Sequence, residues 1–198
     1  MWESLFRAIK YGEKIPPRIL MLSPTDFCNL RCKICWRLRK DASFSQPTSG
    51  FLKKLIREAG KLGVETIDLT GGGEPFLRND IIDIMRLVKK LGMKGIMTTN
   101  STLLTSFRIQ KLVKMEWDEL NISLDGSTPE INDYIRGEGV FQIVVKKVKS
   151  INKAKEKLNS SKPFIRFSFV ITRTNYQDIP NFIELAKTLS IEAINFSV

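Results

Sequence analysis

Val64-Glu65-Thr66-Ile67-Asp68-Leu69-Thr70-Gly71-Gly72-Gly73-Glu74-Pro75 decides how this chain folds. A run rich in β-branched and apolar residues passes without interruption into a glycine turn closed by proline, which reads as a strand ending at a sharp turn. Immediately before it, residues 51–62 place Phe51, Leu52, Leu55, Ile56 and Ala59 on one helical face and stop at Gly63. After it, helix 79–91 stops at Gly92 and strand 94–99 ends in Met97-Thr98-Thr99-Asn100. Helix and strand alternate on both sides of the quoted stretch.

The alternation continues in both directions. Downstream come helix 105–115, strand 118–124, a loop, helix 140–158, strand 164–171, helix 178–189 and a last strand 191–198. Upstream, Pro16-Pro17 forces an extended entry, and Arg18-Ile19-Leu20-Met21-Leu22-Ser23 reads as a first buried strand. Residues 37–50 form a loop, with Thr48 or Ser49 capping the helix that follows. Residues 1–17 read as a short helical extension and residues 18–198 as the main domain. Alternation of this kind gives an α/β fold with a parallel sheet and right-handed crossovers. A doubly wound sheet and a curved, partly closed barrel both satisfy it. Polar and glycine-rich residues recur at the C-terminal ends of the first four strands, where ligand sites in parallel α/β folds gather. Only in a barrel do those ends converge on one mouth, which favours a partial (β/α)6 TIM-like barrel.

The 198 residues are long enough for a substantial core, and the 42% hydrophobic and 27% charged fractions are ordinary for a globular chain. No apolar run approaches the roughly 20 residues of a membrane span. Met1-Trp2-Glu3-Ser4-Leu5-Phe6-Arg7 lacks the pattern of a signal peptide, so a cytoplasmic location is expected, where thiols stay reduced. The net charge of +11 could attract nucleic acid or an acidic partner. Six lysines between Lys146 and Lys157 fall in one helix, however, and no basic motif interleaved with aromatics appears. A solvated helix face is therefore favoured over a nucleic-acid surface.

All three cysteines sit in Cys28-Asn29-Leu30-Arg31-Cys32-Lys33-Ile34-Cys35, directly after the first strand, and the chain has no histidine. Three thiols leave one over in any intrachain disulfide scheme. They also fall one short of the four ligands of a structural zinc site, unless a carboxylate such as Asp26 completes it. Clustered soft thiolates suit an iron–sulfur cluster, with one iron left open to something that is not protein. The glycines of the quoted turn would let backbone approach a ligand closely, and Glu74 would offer an acceptor for an ammonium group. Ser123 and Asp125 share one face of the fourth strand, and Arg136 could grip a carboxylate in bidentate fashion. Phe167 and Phe169 on the fifth strand read as core.

Taken together, C-x3-C-x2-C at Cys28, Cys32 and Cys35, Gly72-Gly73-Glu74-Pro75 and Ser123-Leu124-Asp125-Gly126 resemble the radical S-adenosylmethionine (radical SAM) superfamily. The local style looks most like the branch with peptide and cofactor maturases of SPASM/twitch type and enzymes of molybdopterin and haem biosynthesis. The resemblance implies a [4Fe-4S] cluster held by Cys28, Cys32 and Cys35, with the methionyl group of S-adenosylmethionine chelating the fourth iron. It further implies that Gly73 and Glu74 meet the methionyl amine and that Ser123 and Arg136 meet its polar groups. Asp125 would contact ribose less directly, and Ile34 would pack near adenine. Reductive cleavage of the sulfonium would yield a 5′-deoxyadenosyl radical that abstracts hydrogen from a peptide or cofactor precursor. The electron would come from a donor such as ferredoxin or flavodoxin. The chain ends within strand six and carries no further cysteine, so a core lacking an auxiliary-cluster region is expected. The competing expectation is a non-catalytic, metal-stabilised basic module that docks on RNA or an acidic partner.

Overall fold

The computed structural model describes residues 6, 10–12, 15 and 17–198. The helix expected within residues 1–17 falls mostly outside them. Six parallel strands form one sheet: β1 (Ile19–Leu22), β2 (Thr66–Leu69), β3 (Lys94–Thr99), β4 (Glu119–Ser123), β5 (Phe164–Val170) and β6 (Ala193–Ser197). They pair strictly in chain order. A doubly wound sheet needs a reversal in strand order, and this sheet has none. The fold is a partial TIM-like barrel, open between β1 and β6.

The returns are made by α1 (Ser49–Lys61), α2 (Ile81–Lys90), α3 (Ser106–Lys114), α5 (Val140–Lys157) and α6 (Ile179–Thr188). Their starts follow local chemistry. Thr48 and Thr105 are N-caps whose hydroxyls accept from the Phe51 and Arg108 N–H groups at 3.2 and 3.3 Å. After α1 and α2 the chain turns back through Gly63 and Gly92, at φ 86° and 76°, the left-handed geometry that glycine adopts without a Cβ penalty.

One face of the sheet carries the core. Ile67, Leu69, Met97, Leu120, Ile122, Ile165, Phe167 and Phe169 are fully buried and join Ile56, Met85, Val88, Leu112, Val148 and Phe182 from the helices. Phe169 meets the Phe182 ring edge-on at 4.7 Å between centroids, so the two strand-five phenylalanines are core, as expected. At Gly95 the absence of a side chain is required, because a Cβ there would overlap the buried Trp117 ring.

Two expectations are corrected. The first strand is buried on one face only: Leu22 joins the core and Leu20 packs against it, whereas Ile19 is 56% and Met21 65% exposed, β1 being an edge strand with a partner on one side only. The loop expected between strand four and the long helix contains α4 (Pro129–Arg136). Pro129 at its first turn and Gly137 just past its end are ordinary helix boundary signals, and eight residues were too few for a periodic pattern to stand out.

Gly95→Ala is expected to lower stability by about 1–3 kcal/mol through overpacking, measured by urea unfolding. In a Trp117→Leu background the same change should cost much less, since the two sites share one contact.

Candidate active site

The cysteine loop is held against the glycine turn by short-range polar contacts. The Glu74 N–H donates to the Phe27 carbonyl at 2.9 Å, and the Gly72 N–H donates to the Ser23 hydroxyl at 3.1 Å. A Cβ on Gly73 would overlap the Phe27 carbonyl, and one on Gly72 would overlap the Asp26 carboxylate. These glycines are therefore fixed first by how closely the two loops approach. Asp26 accepts from the Ser45 N–H and hydroxyl, both at 3.1 Å, and from the Ser23 hydroxyl at 3.3 Å. Its carboxylate serves the loop and does not stand as a metal ligand.

On the other side, α4 clamps the loop. The Lys33 N–H donates to the Ile135 carbonyl at 2.8 Å, and the Lys33 ammonium lies 3.3 Å from the Tyr134 ring centroid, a cation–π contact. Cys28 receives the Leu30 N–H at 3.4 Å and the Asn100 side-chain amide at 3.7 Å. Cys32 lies 3.9 Å from the Arg136 carbonyl. Burial pushes the Cys32 thiol above its ordinary pKa, the Arg136 guanidinium pulls it back, and Cys28, Cys35 and Asp125 push it up again.

All three cysteines are free thiols, half-buried around one cleft of about 370 Å³ at the C-terminal ends of the strands. Gly71, Gly72, Gly73, Glu74, Ser123 and Arg136 line the same cleft, and Ile34 and Trp36 give it an apolar wall. Among the described residues no three Cys, Asp or Glu side chains are grouped closely enough for a single metal ion. The three thiols line the space without converging on a point.

Two of the expected contacts take another form. The Glu74 side chain is 1% exposed. One of its oxygens accepts from the Phe76 N–H and the Thr99 hydroxyl at 3.0 and 2.7 Å, the other from the Asn100 N–H at 2.7 Å. Burial pushes this carboxyl up, against the pull of those three donors. Glu74 thus fastens the turn to the end of β3, and the turn's backbone is what reaches the cleft. Asp125 is fully buried and is not among the residues that line the cleft. One of its oxygens accepts from the Val170 N–H at 2.7 Å, and the other lies 2.6 Å from Arg136 Nε. The latter charges touch without an aligned hydrogen bond. Asp125 is the anchor that aims Arg136.

Three further residues matter here. Asn100 bridges Cys28 and Asn29; Asn132 accepts from the Asp125 N–H at 3.0 Å; and Asn175 donates to the Asp125 and Val170 carbonyls at 3.0 and 2.9 Å. The position of Asn100 after strand three marks it in sequence, whereas Asn175 lies in a Thr-Arg-Thr-Asn turn with no pattern to single it out. The lysines of α5 lie elsewhere: Lys146, Lys149 and Lys153 are exposed along a separate groove.

Glu74→Gln is expected to destabilise the chain by about 1–3 kcal/mol, because an amide NH2 would face a buried donor. Thermal unfolding of both proteins at neutral pH checks it.

The chain resembles known proteins over nearly its whole length. The family model described as the Radical SAM superfamily matches residues 22–186. The tungsten-containing aldehyde ferredoxin oxidoreductase cofactor-modifying protein of Pyrococcus furiosus is 28% identical over 178 residues, 89% of this chain and 50% of the relative. The AdoMet-dependent heme synthase of Methanosarcina barkeri is 31% identical over 183 residues, 89% of this chain and 49% of the relative. The chain spans about half the length of these curated relatives. The crystal structure of Streptococcus suis SuiB bound to S-adenosylmethionine shares the fold, with a TM-score of 0.79 and 21% identity over 98% of this chain and 44% of that one. The matched span contains Cys28, Cys32 and Cys35 together with the turn, the serine and the arginine that line the same cleft, and the chain belongs to the radical SAM superfamily.

Proposed function

We propose that residues 18–198 form the core domain of a radical SAM enzyme, with a [4Fe-4S] cluster held by Cys28, Cys32 and Cys35 and S-adenosylmethionine seated beside it. The observation that carries this reading is that three free thiols line one cleft together with the Gly72-Gly73 turn, Ser123 and Arg136. The donor set fits: soft thiolates suit iron–sulfur clusters, and the superfamily implies both groups. A single zinc ion fits poorly, because Asp26, the carboxylate nearest in sequence, is already held by Ser45 and Ser23.

Bound together, the two groups supply one-electron cleavage of the sulfonium and hydrogen abstraction from a substrate. The chain's own residues bind and orient. The Gly72-Gly73 backbone takes the methionyl amine. Arg136, aimed by Asp125, takes the methionyl carboxylate, and Ser123 adds a hydroxyl. Ile34 and Trp36 give the adenine an apolar surface and keep water from the reacting atoms. The relatives named above modify a cofactor or make haem, and another SuiB structure holds a precursor peptide. A peptide or cofactor precursor is accordingly the substrate class we propose. The electron donor would be of ferredoxin or flavodoxin type, in the cytoplasm, where reducing conditions preserve three free thiols. The α5 lysines lie away from the cleft, which gives the RNA- or acidic-partner reading no support from the site.

Anaerobic reconstitution with iron and sulfide should give cluster absorbance that is lost when all three cysteines become serine. Adding reductant and S-adenosylmethionine should release 5′-deoxyadenosine. One tightly held zinc and no cluster in the reconstituted protein would contradict the proposal. Ser123→Ala should retain the cluster and weaken S-adenosylmethionine binding by about two- to tenfold, the loss of one hydrogen bond, as read by calorimetry.

A further inference from the structure

The helix-covered face of the sheet is apolar, but the opposite face is not. Strand register places Met21, Asp68, Ile96, Glu119 and Phe164 in one row across that face. Thr98, Asn121 and Arg166 form the row above, next to the cleft. Thr98 belongs to both, since it also lines the cleft, and Ser123 stands two residues beyond Asn121 on the same face. Closed barrels fill this space with layers of branched apolar side chains. Here Asp68, Glu119, Thr98, Asn121 and Arg166 stand beside Ile96 in the two rows, all of them only half-buried.

Their hydrogen bonding is incomplete in a particular way. The Glu119 carboxylate is matched by Arg166 Nε at 2.7 Å. Asp68 has no such partner. One of its oxygens is buried without a hydrogen bond, and so is the amide oxygen of Asn121. Buried acceptors are ordinarily satisfied, and both unmet atoms here are acceptors, so what they lack is donors. Asp68 lies between Met21 and Ile96 in the row, and burial followed by the charge of Glu119 pushes its carboxyl up. A cation would relieve both effects. Although the chain carries a net charge of +11, these two rows hold two carboxylates against one guanidinium.

We infer that this face is the substrate chamber and selects an amine-bearing substrate: Asp68 accepts from an ammonium group, and Asn121 accepts from a second N–H donor two strands away. Two strand spacings of about 4.8 Å and two residues of about 3.3 Å along the strand put the two backbone positions roughly 12 Å apart, so the two acceptors, leaning toward one another, suit a molecule whose nitrogens are separated by a chain of several carbons. The inference rests on the cofactor reading for the location of the reaction, and it adds the class of group that the chamber takes.

The test is calorimetric titration of the whole chain with 1,5-diaminopentane, 1,5-pentanediol and glutarate, which share one carbon chain and differ in charge. The diamine should bind at least tenfold more tightly than the diol, and glutarate should be weakest. Attraction by the chain's overall positive charge would give the reverse order. Asp68→Asn should cost the diamine at least tenfold and leave the diol unchanged. Equal binding of diamine and diol, tighter binding of glutarate, no binding of any probe, or no effect of Asp68→Asn would each overturn the inference. The ranking in the unmodified protein decides the matter even if the variant folds poorly. Iron and sulfide loading of the same preparation separates the two readings. Loading without amine selectivity sinks the chamber alone, whereas selectivity without loading sinks the cofactor reading and leaves an amine site.

Discussion

The site depends on the contact between the glycine turn and the cysteine loop. The Glu74 N–H meets the Phe27 carbonyl at 2.9 Å, and Gly73 leaves room for that carbonyl because it has no Cβ. The Glu74 carboxylate, meanwhile, is gripped by donors at the end of β3. A long segment without regular structure, residues 23–35, is thereby fixed to the ends of two strands. Loop positions cost conformational entropy to hold, and the many short polar contacts to Phe27, Asp26 and Lys33 are what hold this one. The three thiols take their places as a consequence.

A second anchor acts through Arg136. Asp125, buried beneath β4 and β5, holds Arg136 by charge and is itself held by Val170, Asn132 and Asn175. Removing one partner of such a buried pair leaves an uncompensated charge, so Arg136 is positioned by a network of which only Val170 lines the cleft. The helix carrying Arg136 also clamps the cysteine loop through Lys33. Arg136 and the cysteine loop thus share one mechanical support.

The sequence made the architecture legible because each element repeats one signal. Apolar strands, one-faced helices and glycine or threonine at their ends recur, and the expected boundaries lie within about two residues of those observed. The site was legible as a set of residues, since parallel α/β folds gather ligand groups at strand C-termini. What could not be read was which polar side chains would already be satisfied. Glu74 and Asp125 are the right residue types for a ligand, but folding surrounds each with internal donors. Asn175, which supports Asp125 from fifty residues away, carries no local pattern. The exposed face of the first strand was misread for a similar reason: its composition is that of a buried strand, and only the open edge of the barrel leaves Ile19 and Met21 uncovered.

The central claim is that three thiolates ring a cluster whose remaining iron is left to a small-molecule ligand. Mössbauer spectroscopy of chain reconstituted with iron-57, before and after adding S-adenosylmethionine, addresses it directly. The account predicts a cube-type spectrum in which one iron site alone changes when the ligand is added. A spectrum indifferent to S-adenosylmethionine, or one showing only isolated iron bound to thiolates, would contradict it.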